Sequence, residues 1–356
     1  MNKWSRQFLL KLTVSVVTTL LCCLILEIAL RLISPVQTFV SPLASFHRFD
    51  PEVGWIGVPN WTAKFKKTDF DVTIRANVEG FRARQSAAQP AAGSPVIAAF
   101  GDSFTWGWGV ENGKVFTDVM QNELGTNADV RNFGIDAYGT LQELLLFKRC
   151  LANGLRPKSV IIMFYQNDYY DNVDHDIRRP WLSVTGTNVV MQNYPTKGRA
   201  IGLWTKSVKA SYLLSTIAYV FDFAKEKSRI ENLQQTTFVD NSVAAGPQQA
   251  VDHCLKQFKK TCDEAGIKLY FIYVPSHDDV EKSASQNRMV LKSLCNKNDV
   301  RLLDLTDDFR KTAGNRTNVL FFVHDQHWNA DGHALAGHLI ADAIRKDLWT
   351  ADKPTQ

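Results

Sequence analysis

The chain has 356 residues, of which 45% are hydrophobic and 22% are charged, with a formal net charge of +5. This length and composition support a folded protein with a sizeable core, and the length alone would allow two domains. No basic stripe with interleaved aromatic residues is present, so nucleic acid is not an expected partner. The six cysteines lack framework spacing and do not demand a disulfide.

The N-terminus predicts a membrane anchor. Residues 1–11 form a basic tail without an acidic residue, and residues 12–33 form a mostly apolar segment. Including Glu27 and Arg31, which pair at i,i+4, that segment reaches roughly the 20 residues needed to span a bilayer. Positive charge before the span predicts a cytoplasmic N-terminus and an extracytoplasmic, periplasmic-side remainder. A cleaved signal peptide is the alternative, but no convincing small-x-small cleavage site is present.

Residues 34–93 are interpreted as a connecting region and residues 94–350 as the main domain. The run Val96–Phe104 is a short apolar strand that passes through Gly-Asp-Ser, with Ser103 near its end. A serine at the carboxyl end of a buried parallel strand lies where open α/β sheets bind their ligands. This position favours a nucleophile, although Ser103 could instead simply cap the following helix.

Two further segments place polar groups after predicted strands. Val130–Thr140 runs from a strand into a glycine-bearing loop, and the apolar strand Val160–Phe164 leads to Asn167. Backbone amides of the loop, or the Asn167 side chain, could donate hydrogen bonds to a developing oxyanion. Each segment could equally be ordinary turn chemistry.

Alternation of strands and helices predicts an α/β fold with a doubly wound parallel sheet and helices on both faces. After an insertion at about residues 171–246, expected to shape the substrate pocket, the alternation resumes. The later predicted elements are a helix at 247–265, a strand at 268–274, a helix at about 280–296, a strand at 300–305 and an amphipathic helix at 334–349.

The loop before that last helix contains Asp325 and His327. A serine needs a base to take its proton and an acid to orient the base, and this pair could supply both. The three histidines and two aspartates between His324 and His333 could instead bind a metal. Zinc sites on helices favour His-x-x-x-His, however, and no second ligand cluster stands out, so neither a metal nor another cofactor is expected.

Together these blocks resemble the SGNH (GDSL-like) hydrolase superfamily, over about residues 94–348. Gly-Asp-Ser at Ser103, Asn-Asp at Asn167 and the Asp325/His327 pair look like three of its four blocks, and residues 132–140 fall in order for the fourth. Two upstream segments, Asp50–Trp55 and Ala76–Arg82, look like those preceding the domain in membrane-anchored bacterial relatives.

The resemblance implies that Ser103 is the nucleophile, His327 the general base and Asp325 the group that orients it. It implies an oxyanion hole formed by the Ser103 amide, the Asn167 side chain and a further amide from Ala137 or Gly139. Ala137 departs from the usual glycine, Tyr165 stands where many members have glycine, and Asp-x-His replaces the commoner Asp-x-x-His. His324 remains a competitor for the base.

The expected function is therefore an extracytoplasmic serine esterase or deacetylase that cleaves an O-acyl ester, on a carbohydrate, through an acyl-serine intermediate. Its expected partners are an acylated small molecule or glycan and the membrane. Trp106, Trp108 and Trp328 could stack on sugar rings. The alternatives are an O-acyltransferase acting on an envelope glycan with the same serine, and a non-catalytic glycan-binding envelope protein.

Overall fold

The computed structural model describes residues 3–34, 36–41, 45–196, 203–233, 243–281, 285–314 and 316–349. The strands are β1 (Thr38–Phe39), β2 (His47–Asp50), β3 (Gly54–Gly57), β4 (Thr62–Lys66), β5 (Asp71–Arg75), β6 (Val96–Gly101), β7 (Asp129–Asn132), β8 (Ser159–Phe164), β9 (Trp181–Thr185), β10 (Asn188–Gln192), β11 (Lys268–Tyr273) and β12 (Arg301–Asp304). The α-helices are α1 (Lys3–Ile33), α2 (Ser103–Trp106), α3 (Phe116–Leu124), α4 (Thr140–Ala152), α5 (Asp168–Asp171), α6 (Leu203–Ala210), α7 (Tyr212–Leu233), α8 (Ala245–Ala265), α9 (His277–Glu281), α10 (Gln286–Lys297), α11 (Thr306–Ala313) and α12 (Ala330–Trp349).

The central sheet has five strands in the order β12-β11-β8-β6-β7, and every neighbouring pair is parallel. From β6 the chain first moves outward to β7 and then crosses back to β8, so the winding direction reverses between β6 and β8. Crevices at such switch points, outside the carboxyl ends of the strands, are where open α/β sheets bind ligands. Ser103 follows β6 and Asn167 follows β8, so the two residues flank this crevice.

Both faces of the sheet are buried, which confirms the predicted doubly wound fold. Ile97 and Ala99 of β6 pack in the same core as residues of α3, α11 and α12. Ala98 and Phe100 point the other way, into a core shared with α4, α8 and α10. A strand buried on both faces explains why β6 and β8 are nearly continuous apolar runs rather than alternating patterns.

Among the described residues, one helix is long and apolar enough to cross a membrane, over Trp4–Ile33. Its apolar side chains are exposed, as expected of a lipid-facing helix. Near its C-terminal end, Glu27 accepts hydrogen bonds from the backbone N–H groups of Tyr212 and Leu213 at the start of α7, at 3.1 and 2.9 Å. The anchor helix is thus bonded to the main body and is not joined to it by the chain alone.

The segment between the anchor and β6 is folded. β1 pairs in parallel with β4, β4 pairs with β5, and β2 and β3 form a separate hairpin. Phe65 and Phe70 of the β4–β5 region are buried in one cluster with Trp106, which belongs to the helix that carries Ser103. This packing places the β4–β5 turn beside the Ser103 segment.

The later elements differ from the sequence predictions in two places. The helix predicted at about residues 280–296 is described as two helices, α9 and α10, and residues 282–284 between them lie outside the described part. α12 begins at Ala330, before the predicted position, because the Asn329 side chain accepts hydrogen bonds from the backbone N–H groups of Asp331 and Gly332 at 3.0 and 3.1 Å. In the predicted insertion, β9 and β10 form a hairpin that is followed by α6 and α7, while residues 234–242 lie outside the described part.

Candidate active site

Three side chains from the two ends of the main domain meet at the carboxyl end of β6. The Ser103 hydroxyl lies 2.7 Å from Nε2 of His327. The other ring nitrogen, Nδ1, is hydrogen-bonded to Oδ1 of Asp325. A hydroxyl, an imidazole and a carboxylate are therefore connected in the order that lets the imidazole accept the hydroxyl proton.

Ser103 is held where β6 gives way to α2. Asp102 caps that short helix by accepting a hydrogen bond from the Phe104 N–H at 2.9 Å. The loop after β7 packs closely against the same turn, and a Cβ on Gly134 would lie only 2.4 Å from the Trp106 nitrogen. Because Ser103 is the first residue of α2, its own N–H has no acceptor within the helix.

Aromatic rings enclose the His327 imidazole. Trp108 stacks on it with ring centroids 4.6 Å apart, and Phe104 lies at 4.8 Å. The Trp108 indole also donates a hydrogen bond of 3.1 Å to Oδ2 of Asp325. Trp108 therefore contacts both His327 and the carboxylate bonded to it.

The β4–β5 turn brings a positively charged side chain, Lys67, close to Asp325. The Lys67 ammonium lies 3.7 Å from Oδ2, and both side chains are only 9% exposed. Burial by itself would raise the pKa of Asp325, but the His327 imidazole and Lys67 hold it well below its usual range. The Asp325 carboxylate is therefore ionised at neutral pH.

The three histidines between residues 324 and 333 have separate surroundings, which does not fit one metal site. His324 is bonded to Asp69, through its backbone N–H at 2.7 Å and its Nδ1 at 2.6 Å. His333 is buried against Phe116, and burial lowers its pKa to about 3. Of the three imidazoles, His327 is the one that contacts the Ser103 hydroxyl.

The Asn167 side chain lies at the matching end of β8. Its Nδ2 donates to Oδ2 of Asp171 at 2.8 Å, and Asp171 is paired with Arg179 at 3.0 Å. An ionised carboxylate can only accept, so Asp171 fixes which end of the Asn167 amide carries the N–H groups. One Nδ2 hydrogen then remains for another acceptor.

Ala137 and Gly139 adopt different backbone conformations. Ala137 has a φ of 60°, in the left-handed region that glycine occupies most easily. Its N–H makes no hydrogen bond within the described part of the chain. Gly139 instead has an extended conformation as the N-cap of α4, and its N–H faces Oε1 of Gln142 at 3.4 Å. Of these two N–H groups, that of Gly139 therefore has a hydrogen-bond acceptor and that of Ala137 has none among the described residues.

Two buried acids, Asp102 and Asp136, interact electrostatically with His327. Burial raises the pKa of Asp102 to about 7 and that of Asp136 to about 6. Oδ2 of Asp102 has no hydrogen-bond partner among the described residues. Both carboxyl groups therefore lose their proton at a higher pH than an exposed aspartate does.

Two of the tryptophans considered for sugar stacking belong to the core. Trp106 is 3% exposed and Trp328 is fully buried, so neither ring is free to stack on a ligand. The sequence analysis missed four residues around the site: Lys67, Asp69, Asp171 and Arg179. A usable signal existed for Asp171, since a carboxylate four residues after Asn167 lies on the same side of a helical turn.

Comparison with known proteins identifies the family of the chain. The sequence matches the GDSL-like lipase/acylhydrolase family over residues 99–335. No curated protein matches the chain significantly. A lipase/acylhydrolase from Enterococcus faecalis is similar in structure, with 15% identity, a TM-score of 0.39, and coverage of 74% of this chain and 99% of that chain. A carbohydrate acetylesterase from Sinorhizobium meliloti has 15% identity and a TM-score of 0.40, covering 72% of this chain and 100% of that chain. Since the family match spans more than half of the sequence, this protein belongs to the GDSL-like lipase/acylhydrolase family and is a serine ester hydrolase.

Proposed function

We propose that the protein hydrolyses an O-acyl ester through an acyl-serine intermediate on Ser103. The observation that supports this most directly is the 2.7 Å contact between the Ser103 hydroxyl and Nε2 of His327, whose Nδ1 is bonded to Asp325. In this orientation His327 accepts the hydroxyl proton as Ser103 Oγ attacks the ester carbonyl. Asp325 stabilises the imidazolium that results.

The tetrahedral oxyanion is held by three N–H donors in this proposal. They are the Ser103 amide, the Ala137 amide and the second Nδ2 hydrogen of Asn167. His327 then passes its proton to the departing alcohol oxygen as the bond to the carbonyl carbon breaks. A water molecule attacks the acyl-serine, again giving its proton to His327, and the carboxylic acid leaves as Ser103 regains its proton.

The site of action in the proposal is the outer side of the membrane. The basic residues at the start of α1 favour a cytoplasmic N-terminus, which would leave the main domain outside. An enzyme anchored there meets the acylated glycans of the envelope, and we propose such a glycan as the substrate. Fusions of the C-terminus to a phosphatase that is active only outside the cytoplasm test the orientation, and the mass of the mature chain tests whether α1 is retained.

The full chain in nanodiscs, assayed on acetylated glycans and on p-nitrophenyl esters of graded acyl length, tests the reaction. We expect Ser103→Ala to fall close to background and to lose labelling by a fluorophosphonate. Ser94→Ala, at a serine bonded to the Thr126 carbonyl and remote from His327, serves as the control and keeps full activity. An unchanged rate in Ser103→Ala overturns the assignment of Ser103 as the nucleophile. Net acylation of an added acceptor sugar would show that the reaction is acyl transfer and not hydrolysis.

A further inference from the structure

The β4–β5 turn, residues 67–70, contacts the loop at residues 324–329, here called the Asp/His loop. The turn lies outside the region that matches the family. Lys66 pairs with Asp71 across the β4–β5 hairpin, and the turn closes with a 3.0 Å hydrogen bond from the Lys67 N–H to the Phe70 carbonyl. The family match begins only at residue 99. Any part this turn plays in the site is therefore a property of this chain's own N-terminal segment.

Three side chains of the turn contact the Asp/His loop or Phe322, two residues before His324. Lys67 pairs with Asp325 at 3.7 Å. Asp69, only 9% exposed, accepts both the backbone and the ring hydrogen bond of His324. The Phe70 ring packs on that of Phe322 with centroids 5.1 Å apart. These contacts tie the loop to the β4–β5 turn.

The division of hydrogen bonds at Asp325 shows what Lys67 contributes. Oδ1 accepts from the His327 ring and backbone, whereas Oδ2 faces the Trp108 indole N–H and the Lys67 ammonium. The Lys67 ammonium also lies 4.7 Å from the centroid of the Trp108 ring. A buried carboxylate needs its remaining lone pairs satisfied, and here a cation and an indole do so without competing for Oδ1.

We infer that the β4–β5 turn is a positioning element of the active site, in which Lys67 orients Asp325 and Asp69 keeps His324 away from Ser103. The inference rests on the proposed roles of Ser103, His327 and Asp325. Neither Lys67 nor Asp69 touches the reacting atoms, so each acts through the loop residue to which it is bonded.

Lys67 also carries a positive charge. Its removal should therefore shift the pH profile of the enzyme, which loss of packing alone would not do. The positive charge of the ammonium disfavours the protonated form of His327. Removing Lys67 therefore makes the imidazole easier to protonate as the pH falls. The other titratable groups near the imidazole remain in place in such a variant. They are Asp325, Asp102, Asp136 and His333.

The test compares Lys67→Met with Lys66→Met in the full chain, measuring kcat/KM for a p-nitrophenyl ester across pH. Lys66 is the matched control because it precedes Lys67, is 40% exposed and pairs with Asp71 at 3.1 Å, away from Asp325. We expect Lys67→Met to lose about tenfold in kcat at neutral pH, with KM little changed and the acidic limb of the profile moved to higher pH. Lys67→Arg should restore the position of that limb, whereas Lys66→Met should match the parent protein.

A second pair tests the other half of the turn. Asp69→Ala should lower kcat, whereas Asp71→Ala, at an acid that pairs with Lys64 and Lys66 across the hairpin, should not. If Lys67→Met unfolds in a Tm measurement, the Lys67→Arg profile and the Asp69 pair decide the question. The inference is overturned if the two variants of each pair have the same kinetics. In that case the proposed function still stands, provided that Ser103→Ala is inactive. An active Ser103→Ala removes the proposed function itself.

Discussion

Asp325 accepts two hydrogen bonds from His327 through the same oxygen, one from the ring Nδ1 and one of 3.1 Å from the backbone N–H. This arrangement explains how the short Asp-x-His spacing works. The backbone bond closes a tight turn that brings the carboxylate back to the ring of the second residue along. A longer loop is therefore not required to orient the imidazole toward Ser103.

We expect Asp325→Asn to reduce kcat by about 10⁴, because an amide at this position can stabilise the wrong imidazole tautomer and cannot stabilise the imidazolium. Steady-state hydrolysis of p-nitrophenyl acetate by the full chain measures the effect. Asp331→Asn changes an exposed acid in the first turn of α12 and serves as the control. A loss below about tenfold would contradict the role proposed for Asp325.

Trp108→Phe removes the indole N–H from Asp325 but keeps an aromatic ring against His327. We expect kcat to fall by less than in Asp325→Asn, because Lys67 and His327 still bind the carboxylate. Trp108→Ala, which also removes the stacked ring, should fall further. Identical rates in the parent and in both variants would show that the ring does not orient the base.

Asn167→Ala should lower kcat by about 10²–10³, the typical effect of losing one oxyanion donor. Binding of the substrate should change little, because the proposed hydrogen bond strengthens only as charge develops on the oxygen. Burst kinetics with an activated ester separates the acylation step from binding. A kcat unchanged within a factor of about two would remove Asn167 from the proposed oxyanion hole.

Asp171→Ala should reproduce part of that loss, since it frees the Asn167 amide to rotate. The expected decrease in kcat is smaller than for Asn167→Ala, and the double variant should be no worse than Asn167→Ala alone. Asp174→Ala, in the loop after α5, is the control. Additive losses in the double variant would show that Asp171 acts independently of Asn167.

Stability should depend on pH through the buried acids. Burial raises the pKa of Asp102 from 3.8 to about 7, so the folded chain holds this proton more tightly than the unfolded chain. Its contribution to stability is complete below the unfolded pKa and is lost as pH rises through about 7. We expect Tm to fall by a few degrees between about pH 5 and about pH 8, and the fall to be smaller in Asp102→Asn. A steeper slope in Asp102→Asn would reverse this interpretation.

The parts of the molecule that follow from local pattern were predicted well. The apolar runs that became β6 and β8, and the alternation with helices, predicted the doubly wound sheet, which is confirmed. Ser103 and Asn167 could be singled out because chemistry at strand ends is a general property of such sheets. The family was identified from the order of these blocks, and the family match confirms it.

The missed residues are those whose place depends on tertiary packing. Lys67 and Asp69 lie in a turn with no distinctive sequence signal, and tertiary packing, including that of Phe65 and Phe70 with Trp106, brings that turn to Asp325. The different backbone conformations of Ala137 and Gly139 also needed coordinates, because an alanine with a φ of 60° is not recognisable from sequence. Likewise, Trp106 and Trp328 are core residues despite their proximity to the site in sequence.

The hydrogen bonds between Glu27 and the first turn of α7 attach α1 to the main body and also restrict its rotation. Together with the Arg31 guanidinium, which donates to the Ala210 carbonyl at 3.0 Å and lies over the Tyr212 ring, they set the rotation of α1 about its own axis. An unrelated apolar helix spliced in its place would still tether the enzyme, yet would leave the Tyr212 and Leu213 amides without their acceptor. The orientation of α1 relative to the catalytic crevice therefore depends on two of its own side chains, Glu27 and Arg31.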